Sequence, residues 1–288
     1  MVSGERPQLD ELPTERVVEL LLDAEARVVP ALRRAAPALA AAAQLLADAI
    51  QAGGRLVFTG AGTSGRLAAA EAAELPGTFG IAEARCLALI AGADTTAIDD
   101  AAEDDAEAGA TGARGLHLRS GDVVVAVAAS GSTPYTVAAA TEALAAGAAV
   151  VAVVNAPATP LAELASAAVE VAVGDEVLRG STRLTAGTGQ KIALNTLTTA
   201  AMARAGRVHG DLMIDVVAAN AKLRERALDI VAEIAGRSPA DAAAALAACD
   251  DDARAAVLHL VHDLSPDVAK AAAATAPSLR ALLNESAP

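Results

Sequence analysis

Aromatic side chains are almost missing from this chain of 288 residues, which has one Tyr, two Phe and no Trp. An aromatic core and a base-stacking surface are both excluded. The hydrophobic fraction of 54% leans on alanine instead, which favours closely packed helices. Basic residues are also scarce, 22 against 36 acidic ones, and the only lysines are Lys191, Lys222 and Lys270. A net charge of −14 without a basic block argues against a nucleic-acid partner. An anionic ligand must therefore be held by local backbone N–H groups, hydroxyls and a few Arg. Cys86 and Cys249 lie far apart and outside any ligand-spaced set, so neither a disulfide framework nor a zinc site is indicated. His117, His209, His259 and His262 form no metal pattern. With no signal-peptide core and no long apolar span, a soluble cytoplasmic protein is expected, without a membrane partner.

The length suits one large α/β domain with helical additions. Two helices are expected before the Gly53–Gly54 break, and Pro30 starts the second. Apolar runs then alternate with helical stretches: a strand at 56–59, a helix at 63–74 that Pro76 stops, and a strand at 85–90. A polar segment at 91–116 follows, then a strand at 123–128, a helix opened by Pro134, a strand at 150–154, and one more helix and strand. Nearly continuous apolar strands separated by helices indicate a parallel sheet of about five strands covered on both faces. From Ser181 onward the pattern is helical. Two or three short helices are expected over 229–288, with breaks near Pro239, Asp250–Asp252 and Pro266.

Two strand-to-helix loops carry chemistry. "GAGTSGR" spells G-x-G-x-x-G with Gly60, Gly62 and Gly65, and "ASGSTPY" repeats the context. Each points backbone N–H groups and a helix dipole at its loop. A dinucleotide reading needs an acid at the end of the second strand, and Asp94 comes too late for it. The hydroxyls Thr63, Ser64, Ser130, Ser132 and Thr133 suit a single compact phosphate better, against the alternative of ordinary Ser/Thr-capped turns. Acid-base candidates are Glu71, Glu74, Glu103, Asp104 and Asp105, with solvated surface charge as the competing reading.

At these residues the sequence resembles the N-acetylmuramic acid 6-phosphate etherases, lyases built on a sugar isomerase (SIS) domain. The stretches that carry the likeness include "GRLVFTGAGTSGRLAAAEAAELPGTFG", "AAEDDAEAGA", "ASGSTPYTV" and "GSTRLTAGTGQKIALNTLTTAAMARAGRVHGDLMIDVVAANAKLRERA". The resemblance implies an α/β fold of SIS type: a three-layer sandwich around a mainly parallel five-stranded sheet, with an N-terminal helical arm (1–45), a SIS domain (46–208) and a small C-terminal helical bundle (209–288). It implies cleavage of the D-lactyl ether of a small-molecule sugar phosphate in cell-wall sugar recycling, with neither metal nor nicotinamide, by a homodimer. Glu74 falls on the acid that protonates the departing lactate, and Glu103 on the base at carbon 2. To carry a proton near neutral pH, Glu74 needs burial or a neighbouring anion. Thr63, Ser64, Ser130, Ser132 and Thr133 would hold the phosphate, and Ser181, Thr182 and Arg183 would approach the same cleft. Thr185 stands where the family commonly has Lys, a lost charge for which Arg66 or Lys191 would compensate. A non-catalytic sugar-phosphate sensor and an aldose-ketose isomerase are the alternatives on the same fold, and the two retained carboxylates favour the lyase over the sensor.

Overall fold

The computed structural model describes residues 7–93 and 100–284. The chain opens with α1 (Thr14–Glu25), α2 (Val28–Arg34) and α3 (Ala36–Gln51). It continues through β1 (Leu56–Gly60), α4 (Gly62–Phe79), β2 (Cys86–Ile90), α5 (Ala106–Gly115), β3 (Val123–Ala128) and α6 (Pro134–Ala145). Then come β4 (Ala149–Val154), α7 (Pro160–Leu164), β5 (Ala167–Glu170) and α8 (Thr185–Arg204). The last five helices are α9 (Ala221–Ala235), α10 (Pro239–Ala248), α11 (Ala253–His262), α12 (Pro266–Thr275) and α13 (Leu279–Asn284).

The five strands pair in the order β2-β1-β3-β4-β5, all parallel. Alternation along each strand splits the sheet into two buried faces. Leu56, Phe58, Val125, Val127, Val151 and Val153 pack with α2, α3, α4 and α8. Val57, Val124, Ala126, Val150 and Ala152 pack with Ala113 of α5, Ala139 and Ala143 of α6, and Leu161 of α7. The chain leaves β1 toward β2 and returns to β3 on β1's other side, so the strand order reverses between β1 and β3. Their carboxyl ends flank the crevice where ligands bind in open parallel sheets.

Two expectations change. Pro76 does not stop α4: it sits inside the helix, which runs on to Phe79 and ends at Gly80, left-handed at φ 62°. One lost N–H bond is outweighed there by burial of Leu75 and Phe79 in the sheet core. Among the described residues four helices, α10 to α13, begin within 229–288 rather than two or three, and Ser238, Asp252 and Ser265 cap the first three of these starts, as Asn220 caps α9 before them. These helices enclose a core of their own around Val257 and Leu258. They are tied to the end of α8 by the Arg254 guanidinium, which binds both carboxylate oxygens of Asp215 and donates to the Gly206 carbonyl at 2.6 Å. Arg207 shares the same carboxylate at 3.0 Å.

Candidate functional site

The glycines of the first loop serve close packing. A methyl group on Gly60 would sit 2.8 Å from the Val127 carbonyl, and one on Gly65 would sit 2.7 Å from the Gly60 carbonyl. The start of α4 is thereby drawn down onto the ends of β1 and β3. Thr63 and Ser64 lie in its first turn, Thr63 half-buried and Ser64 buried. In the second loop Gly131 has φ +63° and stands against Thr159, so neither its backbone nor its surroundings admit a side chain. Ser130 and Ser132 flank it, with the Ser132 amide and hydroxyl directed to the Ser130 Oγ at 3.2 and 3.1 Å.

Neither α4 nor α6 has a side-chain cap at its N-terminus. Side-chain caps are likewise absent from α1, α2, α3 and α8, whereas the N-cap side chains of α5, α7, α9, α10, α11 and α12 accept a backbone N–H. The hydroxyls of the two crevice loops are thus not used for capping, and the first-turn N–H groups stay open to an anion.

The third segment joins at Gly187. A methyl group there would lie 3.5 Å from both the Thr182 carbonyl and the Thr63 Cγ2, so the "GSTR" turn and the first loop meet at that glycine. Ser181 is half-buried beside exposed Thr182 and Arg183. Glu176, which the sequence reading did not single out, accepts the Thr185 and Ala186 amides at 3.1 and 2.9 Å and so closes the start of α8. Thr185 is buried beneath it. Asn155 ties the second loop to α8: its backbone N–H donates to the Ala129 carbonyl at 3.0 Å, and its side-chain Oδ1 accepts from Gln190 Nε2 at 2.9 Å. A polar residue ending the apolar run of β4 was the available signal for it.

The carboxylates separate into distinct environments. Glu71 is buried, accepting from the Thr198 hydroxyl at 2.5 Å and from Lys191 Nζ at 3.1 Å. Lys191 also lies 3.8 Å from Glu74, whose side chain is 65% exposed. Lys191 thus faces two carboxylates of α4. Exposed Glu103 belongs to a short 3-10 helix, residues 100–104, packed against α6. A methyl on Gly109 of α5 would strike the Tyr135 carbonyl, and Arg114 pairs with Glu142 at 2.9 Å, so α5 and α6 run parallel. The segment before α5 accordingly lies toward the start of α6. Asp104 is exposed beside it, and Asp105 caps α5 through the Ala108 amide at 2.9 Å. Asp94 lies outside the described residues.

A fully parallel sheet with hydroxyl-bearing helix starts at its β1/β3 crevice defines a SIS-type domain, and residues 22–155 match the SIS domain family. Two solved structures share the fold. They are a phosphoheptose isomerase from Neisseria gonorrhoeae (TM-score 0.52, 19% identity, 66% of this chain and 98% of that one) and a putative phosphosugar isomerase from Bacteroides fragilis (TM-score 0.51, 21% identity, 69% and 98%).

The chain belongs to the N-acetylmuramic acid 6-phosphate etherase family. It is 43% identical to the protein of that name from Rubrobacter xylanophilus, over 98% of this chain and 94% of the relative. It is 40% identical to N-acetylmuramic acid 6-phosphate etherase 1 of Vibrio cholerae, over 91% and 88%.

Proposed function

We propose that this protein is a carbon–oxygen lyase that converts N-acetylmuramic acid 6-phosphate and water to N-acetylglucosamine 6-phosphate and D-lactate, in cell-wall sugar recycling. The observation that carries this reading is the meeting of two uncapped, hydroxyl-bearing helix starts with the "GSTR" turn at one crevice, in a chain 43% identical over 98% of its length to a named etherase. The phosphate is held by the first-turn N–H groups with Thr63, Ser64, Ser130, Ser132 and Thr133, while Ser181, Thr182 and Arg183 border the sugar. This local field offsets the net charge of −14.

In the open-chain sugar the aldehyde acidifies the C–H bond at carbon 2. Glu103 takes that proton as the bond between carbon 3 and the ether oxygen breaks, and Glu74 gives its proton to the departing oxygen. The lactate leaves as its alcohol instead of as an alkoxide. The ionised Glu74 then takes a proton from water as the water oxygen adds to carbon 3, and carbon 2 regains a proton from Glu103. Both carboxyl groups end in their starting states, and the net change is addition of one water across the ether.

The experiment is turnover in deuterated, oxygen-18-labelled water with mass analysis of the sugar product. One deuterium at carbon 2 and one labelled oxygen at carbon 3 are expected. Labelled oxygen in the lactate hydroxyl instead would mean cleavage on the lactate side of the ether and would contradict the elimination.

A further inference from the structure

We infer that the cleft between the sheet layer and the C-terminal helices is a second ligand site, which takes a small oxyanion, a carboxylate or a phosphate, between Arg85 and Arg207. The cleft has a volume of about 900 Å³, within the range of small-molecule sites. It is separate from the β1/β3 crevice. Gly53 and Arg85, which border it, precede β1 and β2, so it opens at the amino ends of the strands. The two hydroxyl-bearing loops stand at the carboxyl ends, with the five residues of β1, roughly 16 Å, in between.

Charges in the cleft are unevenly matched. Half-buried Arg85 donates through Nε and Nη2 to neutral carbonyls, to Gly54 at 2.9 and 2.7 Å and to Ile50 at 2.8 Å. Among the described residues its Nη1 makes no hydrogen bond, and no carboxylate pairs with its charge. Arg207 gives Nη1 to Asp215 at 3.0 Å, where Arg254 Nη2 already sits at 2.7 Å. Its Nε and Nη2 make no hydrogen bond among the described residues. Three guanidiniums, those of Arg85, Arg207 and Arg254, thus stand against the one carboxylate of Asp215. On the facing wall Asp250 is held by Lys270 at 2.8 Å and Asp252 by the Ala255 amide at 2.9 Å, which leaves exposed Asp251.

The two arginines also feel one another. Burial, and after it the charge of Arg207, holds the Arg85 guanidinium below its ordinary value. Like charges brought together without an anion raise the energy of the free chain, and an oxyanion seated between them removes that repulsion. Planar guanidinium forks match the geometry of carboxylates and phosphates, and the unused nitrogens of Arg85 and Arg207 supply the donors. Val217, 45% exposed, and exposed Pro277 line the same cleft and give an apolar wall for a short stem on the anion.

The test counts bound inorganic phosphate by equilibrium dialysis, over a millimolar range, for full-length wild type, Arg207→Gln and Ala274→Glu. Arg207→Gln leaves Arg254 on Asp215, and Ala274 is an exposed residue of α12 that lines the cleft, so both variants fold and neither alters the crevice. Ala274→Glu places a competing carboxylate in the cleft. Each variant is expected to bind one phosphate fewer per chain than wild type, its affinity at the cleft reduced about tenfold or more. A count unchanged in either variant, or no phosphate bound by wild type, would overturn the inference. D-lactate as competitor then separates the two oxyanions: displacement of the cleft phosphate shows a site that accepts carboxylates, and its retention shows one for phosphates, either of which supports the site.

Discussion

Glu71 shows how one residue's meaning depends on partners far away in the chain. As a sequence feature it is one of two carboxylates three residues apart on a helix. In the fold it is buried and held by Thr198 and Lys191, over a hundred residues later, because α4 and α8 run side by side. Nothing local announces that pairing, whereas the hydroxyls of the two loops are legible because loop chemistry is local. Lys191→Met leaves the buried Glu71 without its cation and is expected to lower unfolding stability by roughly 3 kcal/mol. Adding Glu71→Gln should recover most of the loss, and denaturant unfolding of the two variants checks the coupling. Asp122 gives a pH signature. Burial alone would push its carboxyl up, but hydrogen bonds from the Arg55 side chain and amide outweigh this and hold it below the ordinary carboxylate value. Its contribution is thus complete above the unfolded value of about 3.9 and is lost as pH falls through the lower folded value. Asp122→Asn should be less stable than wild type at pH 7, and the gap should close toward the acid limb of a stability-versus-pH curve.

At the scale of elements, the alternation of apolar runs with helical stretches was enough to read the parallel sheet, since strands buried on both faces need no polar side. Helix ends were less legible. Pro76 and the C-terminal breaks were resolved by tertiary burial and by side-chain caps, whose weight depends on what packs nearby. Glu74 moves with that correction: it is not at a helix end beside a cleft but in the middle of α4, three turns from the loop whose helix it shares. The two loop glycines with positive φ make a contrasting pair. Gly131 faces Thr159, with a would-be methyl 2.2 Å from its hydroxyl, while Gly62 faces open space. Gly62→Ala is expected to cost on the order of 1 kcal/mol for its left-handed backbone alone. Gly131→Ala adds a clash with a buried N-cap and should cost roughly twice as much or more, with a raised KM for the sugar phosphate. Thermal unfolding of the two variants against wild type gives the comparison.

For the whole molecule, the SIS layer supplies the crevice, and the C-terminal helices form a second core fastened to it through Asp215 and Arg254. Arg254→Met removes the more buried of the two cations on that carboxylate and should destabilise the chain by roughly 3 kcal/mol, read as a lower Tm. The place of Glu74 relative to the first loop was not legible in the sequence, because the spacing between a loop and an acid on one helix becomes a distance only once the helix is known to run unbroken. The central claim concerns the reaction itself. Its most direct measurement is D-lactate released from N-acetylmuramic acid 6-phosphate by purified wild-type protein and by Glu74→Ala. The expected result is one lactate for each N-acetylglucosamine 6-phosphate formed by the wild type, with release reduced about a hundredfold or more in the variant. Absence of lactate with the wild type would contradict the lyase, and full release from Glu74→Ala would contradict the acid assigned to it.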